Sequence, residues 1–252
     1  MNIVLQEKYK DVTIYDGARI GNNVKIGRGT IIYPNASIGD NSFIGPYCTI
    51  GEPTSTYYSS ENHDFKSTKI GANSIIRSYS IIYENVIIGN DFQTGHRVTI
   101  REESTIGHNC SLGTLCDLQG KLTIGNYVRL HSNVHIGQMS IIEDYVWIYP
   151  YVVLTNDPYP PMGKLKGVTI RKYAQVATSS VILPGVEIGK NSLIGASSLI
   201  RKDVEPERVI VGVPGKDICS VRDLRDDNNN QIYPWKEYLK DFRGYPWQIT
   251  KK

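Results

Sequence analysis

An all-β solenoid of triangular coils is the fold this sequence predicts, and three observations carry the expectation. The first is a period of six. From Ile70 to Leu154 an aliphatic residue falls on every sixth position, as at Ile76, Ile82, Ile88, Ile100, Leu112, Leu130 and Ile148, and only Thr94 interrupts the series. The second is a small or β-branched residue two positions earlier, as at Ser74, Ser80, Val86, Val98, Val128 and Val134. The third is a glycine directly after many of the aliphatic residues, at Gly71, Gly89, Gly107, Gly125 and Gly137. Six is neither the period of two of a strand nor the 3.6 of a helix, so it marks a supersecondary repeat. Three such units close one coil. The aliphatic residue points into the prism, the small residue packs beside it, and Gly or Asn takes the bend. Residues eighteen apart then stack.

The rhythm starts earlier, at Ile14, Ile20, Ile26, Ile32, Ile38, Ile44 and Ile50, and residues 1–12 are expected to cap the open end of the prism. Gly51 to Lys69 leaves the period and is rich in Ser, Thr and Tyr. It reads as an excursion from one corner, of the functional or mobile kind, and it carries His63, Asp64, Tyr57 and Tyr58. A second excursion, 155–167 (TNDPYPPMGKLKG), contains prolines that cannot continue a hydrogen-bonded ladder. The repeat resumes at Ile170 and runs through Val176, Ile182, Ile188 and Ile194 to Ile200, roughly nine coils in all. After Asp203 the pattern stops. Residues 204–252 read as a short helix near 221–226 and an aromatic tail, containing Trp235 and Trp247, wrapped on the prism or on a neighbouring subunit. The chain thus divides into a solenoid domain, 1–203, and an extension, 204–252, packed on it.

The composition narrows the function. The chain has 252 residues, 40% hydrophobic, and a net charge of +3. There is no Lys/Arg-rich run and no interleaving of basic and aromatic residues, so no nucleic-acid partner is expected. No apolar run approaches the ~20 residues that span a bilayer. The N-terminal MNIVLQEKYKD lacks the charged-then-apolar order of a signal peptide, so a cytoplasmic location without membrane contact is expected. Cys48, Cys110 and Cys116 fall on inward small-residue positions and read as buried thiols.

A solenoid gives no function by itself, so the outward residues must. In the frame of eighteen, Gly95, Gly113, His131 and Tyr149 form one column, and His96, Thr114, Ser132 and Pro150 form the next. His131 and His96 therefore share a face, and His135 lies near the following corner. His108 is on another face and looks incidental. Acyl transfer from a thioester requires a base for the nucleophile's proton, and imidazole titrates in the right range. Backbone N–H groups at the corners can stabilise the oxyanion.

The hexapeptide repeat resembles that of the left-handed parallel β-helix acyltransferases, and the left hand of the predicted solenoid comes from this resemblance. The runs GHRVTIREESTIGHNCSLGT (95–114) and HIGQMSIIEDYVWIYPYVVLTNDPYPP (135–161) and the tail YPWKEYLKDFRGYPWQ (233–248) are similar to bacterial nucleotide-sugar N-acyltransferases. The likeness is greatest to those that acetylate a dTDP-linked 3-amino-3,6-dideoxyhexose for surface polysaccharide. The resemblance implies a homotrimer with active sites between subunits, acetyl-CoA as cosubstrate and no metal. Carried onto this sequence, it implies a catalytic His131 and Asn156, with His96, His135, Tyr149, Asp157 and Tyr159 binding the acceptor. The same Asn156-Asp157-Pro158 stretch also suits a plain Asx turn. The turns at 177–180 (ATSS) and 195–198 (GASS) would let a pantetheine arm approach, at Ala177, Ser179, Ser180, Ala196 and Ser197. Arg201, Lys202 and Arg208 would meet the coenzyme A phosphates. VIVGVPGKDI (209–218) is similar to the closing motif of the superfamily.

Two mechanisms stay open under this resemblance: a histidine base, or an amine whose proton passes to the leaving thiolate. A UDP-linked or a 4-amino sugar stays open as the acceptor. The rival reading is a zinc carbonic anhydrase on the same kind of solenoid, since His96, His131 and His135 mimic its spacing. His96 falls one column away from His131, which strains a site needing ligands within ~2.0–2.1 Å of zinc.

Overall fold

The computed structural model describes Tyr9 and residues 11–60 and 62–238. It is a left-handed parallel β-helix of about eleven turns. Three parallel sheets form the walls. Sheet I has ten strands and opens with Thr13–Ile14, sheet II has nine and opens with Arg19–Ile20, and sheet III has eleven and opens with Lys25–Ile26. Within an uninterrupted run, strands joined in one sheet are eighteen residues apart, as where Thr99 pairs with Asp117 and Asp117 with His135. The six-residue rungs fill the prism, and Ile32, Ile50, Ile82, Ile100, Leu118, Ile136 and Ile182 are fully buried. Cys48, Cys110 and Cys116 lie among them as free thiols, each pushed up to about 11 by burial, which keeps them protonated and inert.

Gly or Asn takes the bend at many corners, as expected, with Gly17, Gly29 and Gly185 at positive φ. The glycines directly after the rungs at Gly71, Gly89, Gly107, Gly125 and Gly137 do not supply the left-handed backbone; they let successive coils touch. A Cβ on Gly71 would sit 2.4 Å from the carbonyl carbon of Gly89, and one on Gly113 would sit 2.3 Å from the nitrogen of Ser132. The left-handed residue comes two positions later. On the edge between sheets II and III it is Asn23, Asn41, Asn73, Asp91 and Asn109, residue types that tolerate positive φ, and then Tyr127, Tyr145 and Tyr173. These three tyrosines stack face to face, with centroids 4.9 and 5.1 Å apart, and that contact offsets the backbone cost. His108 is part of the polar ladder on this edge, its Nδ1 accepting from the Asn90 N–H at 3.0 Å.

Thr94, the break in the series, is also explained. Arg77 stands where a glycine is usual, and its backbone N–H donates to the Thr94 hydroxyl at 2.8 Å. The Arg77 guanidinium donates to the Thr94 carbonyl. At its other inward position the same coil carries Phe92, also fully buried.

Both excursions leave the prism at the same edge, between sheets I and II. The first lies between strands Thr49–Glu52 and Thr68–Ile70, the second between Val153–Leu154 and Thr169–Ile170. The first is folded back by one carboxylate. Glu84, 3% exposed, accepts from the N–H of Thr54 (3.1 Å), the N–H of Lys66 (2.9 Å), the Thr54 hydroxyl (3.2 Å) and His63 Nε2 (2.9 and 3.0 Å). The His63 ring packs edge-on against Phe65 and Tyr57. His63 is therefore a clamp for the loop, its side chain 9% exposed.

Burial pushes the Glu84 carboxyl up, but the donors of Lys66, Thr54 and His63 outweigh it and hold it below the ordinary range. A depressed carboxylate contributes stability above its unfolded pKa and loses it as pH falls through the folded value. Glu84→Gln is expected to release the loop at a local cost of about 3–5 kcal/mol. Limited proteolysis within 53–67 should accelerate while the main thermal transition stays put, and an unchanged cleavage rate would refute the clamp.

At the far end the sheet continues beyond the six-residue pattern. Arg208–Val211 adds to sheet III in parallel, with Ile194 opposite Ile210, and Lys216–Ser220 closes it antiparallel. This is why the turns outnumber the roughly nine coils read from the repeat. The helix expected near 221–226 is a single 3₁₀ turn, Val221–Asp223, capped by Ser220 and Asp223. Trp235 folds onto the prism itself: it is 1% exposed and donates its indole N–H to the Tyr173 carbonyl at 2.8 Å. Trp247, and most of the expected N-terminal cap, lie outside the described residues. Of that cap, Tyr9 is buried, with its hydroxyl on the Val24 carbonyl at 3.1 Å. No described helix is long and apolar enough to cross a membrane.

Candidate functional site

The sequence-predicted residues sort onto two edges of the prism with sheet I between them. Along the edge between sheets III and I stand His96, His131, Tyr149, Ala177, Ser179, Ala196 and Ser197, each in a turn that follows a sheet III strand. Along the edge between sheets I and II stand Asn156, Asp157, Tyr159, Arg201 and Lys202. His135 opens the sheet I strand His135–Ile136 and faces outward, because Ile136 faces in.

His131 stacks on Tyr149 with centroids 4.8 Å apart and planes 14° apart, as the column of eighteen predicts. Trp147 flanks it at 6.0 Å. Burial holds the His131 imidazole below its ordinary pKa, so it favours the neutral form. This sets the sign of a pH effect. The contribution of His131 to folding is complete above the unfolded value and is lost as pH falls through the depressed folded one. His131→Phe is expected to flatten the fall of the thermal midpoint below about pH 6.5, and an unaltered slope would refute it.

His135 is placed differently. Its Nδ1 lies 3.1 Å from Oδ2 of Asp117, its register partner one coil below, and Gln119 Nε2 donates to the same oxygen at 2.6 Å. The hydrogen bond from His135, helped by that from Gln119, holds the Asp117 carboxyl below the usual carboxylate range. A carboxylate can only accept, so the Nδ1 proton sits between the two side chains and the Nε2 lone pair is left for a ligand. Neither side chain is buried; each is 41% exposed. Sequence reasoning missed Asp117 and Gln119. The signal was present, since Asp117 stands eighteen residues before His135.

Two residues beyond His135, Gly137 forms the corner. A Cβ there would meet the Asn156 Cβ at 3.0 Å, so the root of the second excursion lies directly on the coil that carries His135. The Asn156 carbonyl accepts from the Lys166 N–H at 2.7 Å, which closes this loop. Asp157 makes the Asx turn, its Oδ1 accepting from the Tyr159 N–H at 3.0 Å, and Tyr159 projects outward.

The residues expected to meet the donor lie in different surroundings. Ala177, Ser179, Ala196 and Ser197 line one edge, with Ser179 and Ser197 at left-handed φ. Ser180 is not available to a ligand. Its side chain is turned inside the corner, donating to the Gly195 carbonyl at 2.9 Å and accepting from the Ser198 N–H. It follows the left-handed residue and so returns to the inward small-residue position. The Arg208 fork is taken up by Asp217, at 2.8 and 2.6 Å. Arg201 and Lys202 are exposed beside Asp203, Glu205 and Asp217, around a hollow of about 320 Å³.

His96 is exposed and one column from His131, and His135 is turned toward Asp117. Among the described residues no three His, Cys, Asp or Glu side chains come together as a metal-binding group.

Comparison with known proteins agrees with the fold. A family model described as bacterial transferase hexapeptide (six repeats) matches residues 11–52, and one described as the hexapeptide repeat of succinyl-transferase matches residues 178–200. Galactoside O-acetyltransferase of Escherichia coli K12 is 34% identical over 44% of this chain and 64% of its own length. A putative serine acetyltransferase of Schizosaccharomyces pombe is 37% identical over 42% of this chain and 39% of its own length. The matched region thus spans less than two thirds of either relative. The solved Arabidopsis UDP-N-acetylglucosamine acyltransferase superposes with a TM-score of 0.50, at 16% identity, over 84% of this chain and 73% of that one. At that identity the likeness bears on the fold alone.

Proposed function

From the premise that this chain is a hexapeptide-repeat protein with the left-handed parallel β-helix fold, we propose that it is an acyl-CoA-dependent N-acyltransferase. The acceptor we propose is the amino group of a nucleotide-linked amino sugar, and first among such acceptors the 3-amino group of a dTDP-linked 3-amino-3,6-dideoxyhexose. The observation that carries the reading is the His135–Asp117 pair on the coil beneath Asn156.

In the reaction the amine nitrogen attacks the thioester carbonyl, the C–S bond breaks, an amide forms and coenzyme A leaves as its thiolate. A proton must leave the nitrogen. The His135 Nε2, with its tautomer fixed by Asp117, is the group to take it, and Gln119 holds Asp117 in place. Asn156, rooted on Gly137 beside His135, orients the amine. His131 and Tyr149 serve the acceptor as a binding wall. The small residues Ala177, Ser179, Ala196 and Ser197 admit the pantetheine arm, and Arg201 and Lys202 meet its phosphates. We propose a homotrimer, in which a neighbouring subunit covers the exposed face of the His135–Asp117 pair.

The test is release of free thiol from acetyl-CoA in the presence of a panel of dTDP- and UDP-amino sugars. Release dependent on a dTDP-3-amino sugar is the expected result. A folded protein that binds acetyl-CoA but acylates none of the panel would remove the sugar assignment, and failure to bind acetyl-CoA would remove the transferase.

A further inference from the structure

One hollow on the described surface stands away from His135. It lies on the outer face of sheet III, has a volume of about 840 Å³, and reaches the edge at His131. Its floor is a ladder of four register neighbours, Gln93, Ser111, Arg129 and Trp147. Successive rungs of a sheet stand roughly 4.8 Å apart, so these side chains present functional groups at a fixed repeat. Asp91 and Asn109 border the hollow along the edge with sheet II.

The chemistry of this lining selects a ligand class. Amides, a hydroxyl and one carboxylate give both donors and acceptors without a dominant charge. The guanidinium of Arg129 is turned onto the carbonyls of Asn109 and Val128, so it serves the wall. The Asp91 carboxylate accepts from the Asn73 amide at 3.2 Å, which fixes its orientation. A phosphate would meet one committed cation and one anion here. A neutral polyol would meet matched hydrogen-bonding groups and, in Trp147, an indole against which the C–H face of a ring can lie. The volume falls within the range of small-molecule pockets.

We propose that this face is a saccharide-binding site for an uncharged hexopyranose unit, on a different wall from the His135–Asp117 pair and adjoining the proposed acceptor wall at His131. Gln93, Ser111 and Asn109 hydrogen-bond the hydroxyls, and Trp147 supports the ring.

The test is ligand-observed NMR on the full chain, with methyl β-galactopyranoside and methyl α-glucopyranoside as probes and inorganic diphosphate as the charged comparison. Saturable binding of at least one glycoside is expected. Gln93→Ala should weaken it about fivefold, the loss of one hydrogen bond, and Ser111→Trp, which fills the floor, should abolish it. Gln93 is exposed, so its truncation keeps the test valid if the tryptophan variant does not fold. His135→Ala should leave glycoside binding unchanged, so failure here and failure of the transferase reading are told apart. Absence of saturable glycoside binding to folded protein, binding that survives in folded Ser111→Trp, or diphosphate displacing the glycosides would each overturn the proposal.

Discussion

His135→Ala is expected to lower kcat for thiol release by about 10²–10⁴-fold, the usual contribution of a positioned general base. Affinity for acetyl-CoA should stay close to that of the unmodified protein. Asp117→Asn should cost part of that loss, because an amide can present its N–H to Nδ1 and so favours the wrong tautomer. The competing expectation is that His131 is the base. His131→Ala should instead raise the acceptor KM with kcat largely kept, because its ring is stacked on Tyr149 as part of a wall. If kcat falls in His131→Ala and survives in His135→Ala, the assignment is reversed. If both variants turn over at the original rate, the amine gives its proton to the leaving thiolate and neither imidazole is a base.

Phe92→Ala is expected to remove about 3–5 kcal/mol of stability, read from the midpoint of denaturant unfolding at constant slope. Phe92 is fully buried in the coil where Thr94 stands in place of an aliphatic rung. Losing it leaves that coil without its large side chain and opens a void that neighbouring rungs, fixed by their own ladder bonds, cannot collapse into. Restoring the repeat by Thr94→Ile should not stabilise the protein. The Arg77 N–H would lose the hydroxyl it donates to, at about 1–3 kcal/mol, and the added methylene would press into a full core. A Thr94→Ile protein that unfolds later than its parent would show that Thr94 is a defect in the repeat. The expected result would show it to be a second, compensated solution.

Much of the molecule was legible from its spacing. Ile70 through Leu154 gave the rungs, and the frame of eighteen placed His131 directly beneath Tyr149, as the structure has it. The same frame sets Asp117 beneath His135, eighteen residues on, so the pairing of that histidine with a carboxylate is also written in the spacing. What the frame could not give was direction at a corner. Ser179 and Ser180 are neighbours of one type in one turn, yet one lies at left-handed φ on the outside and the other is hydrogen-bonded inside the prism. Likewise His63 reads from sequence as a loop histidine open to substrate, and only the position of Glu84, twenty-one residues away, makes it a clamp.

The sequence by itself determined the solenoid, its three walls, the inward thiols and the two excursions, because each follows from a local period that every coil repeats and every rung reinforces. Only the tertiary structure decided that both excursions leave the same edge and that sheet III runs on beyond the pattern. Those facts depend on which residues of different coils lie opposite one another after two insertions have shifted the frame. A six-residue period fixes register within an uninterrupted run, and it carries no information about how many residues a loop consumes before the next coil is joined.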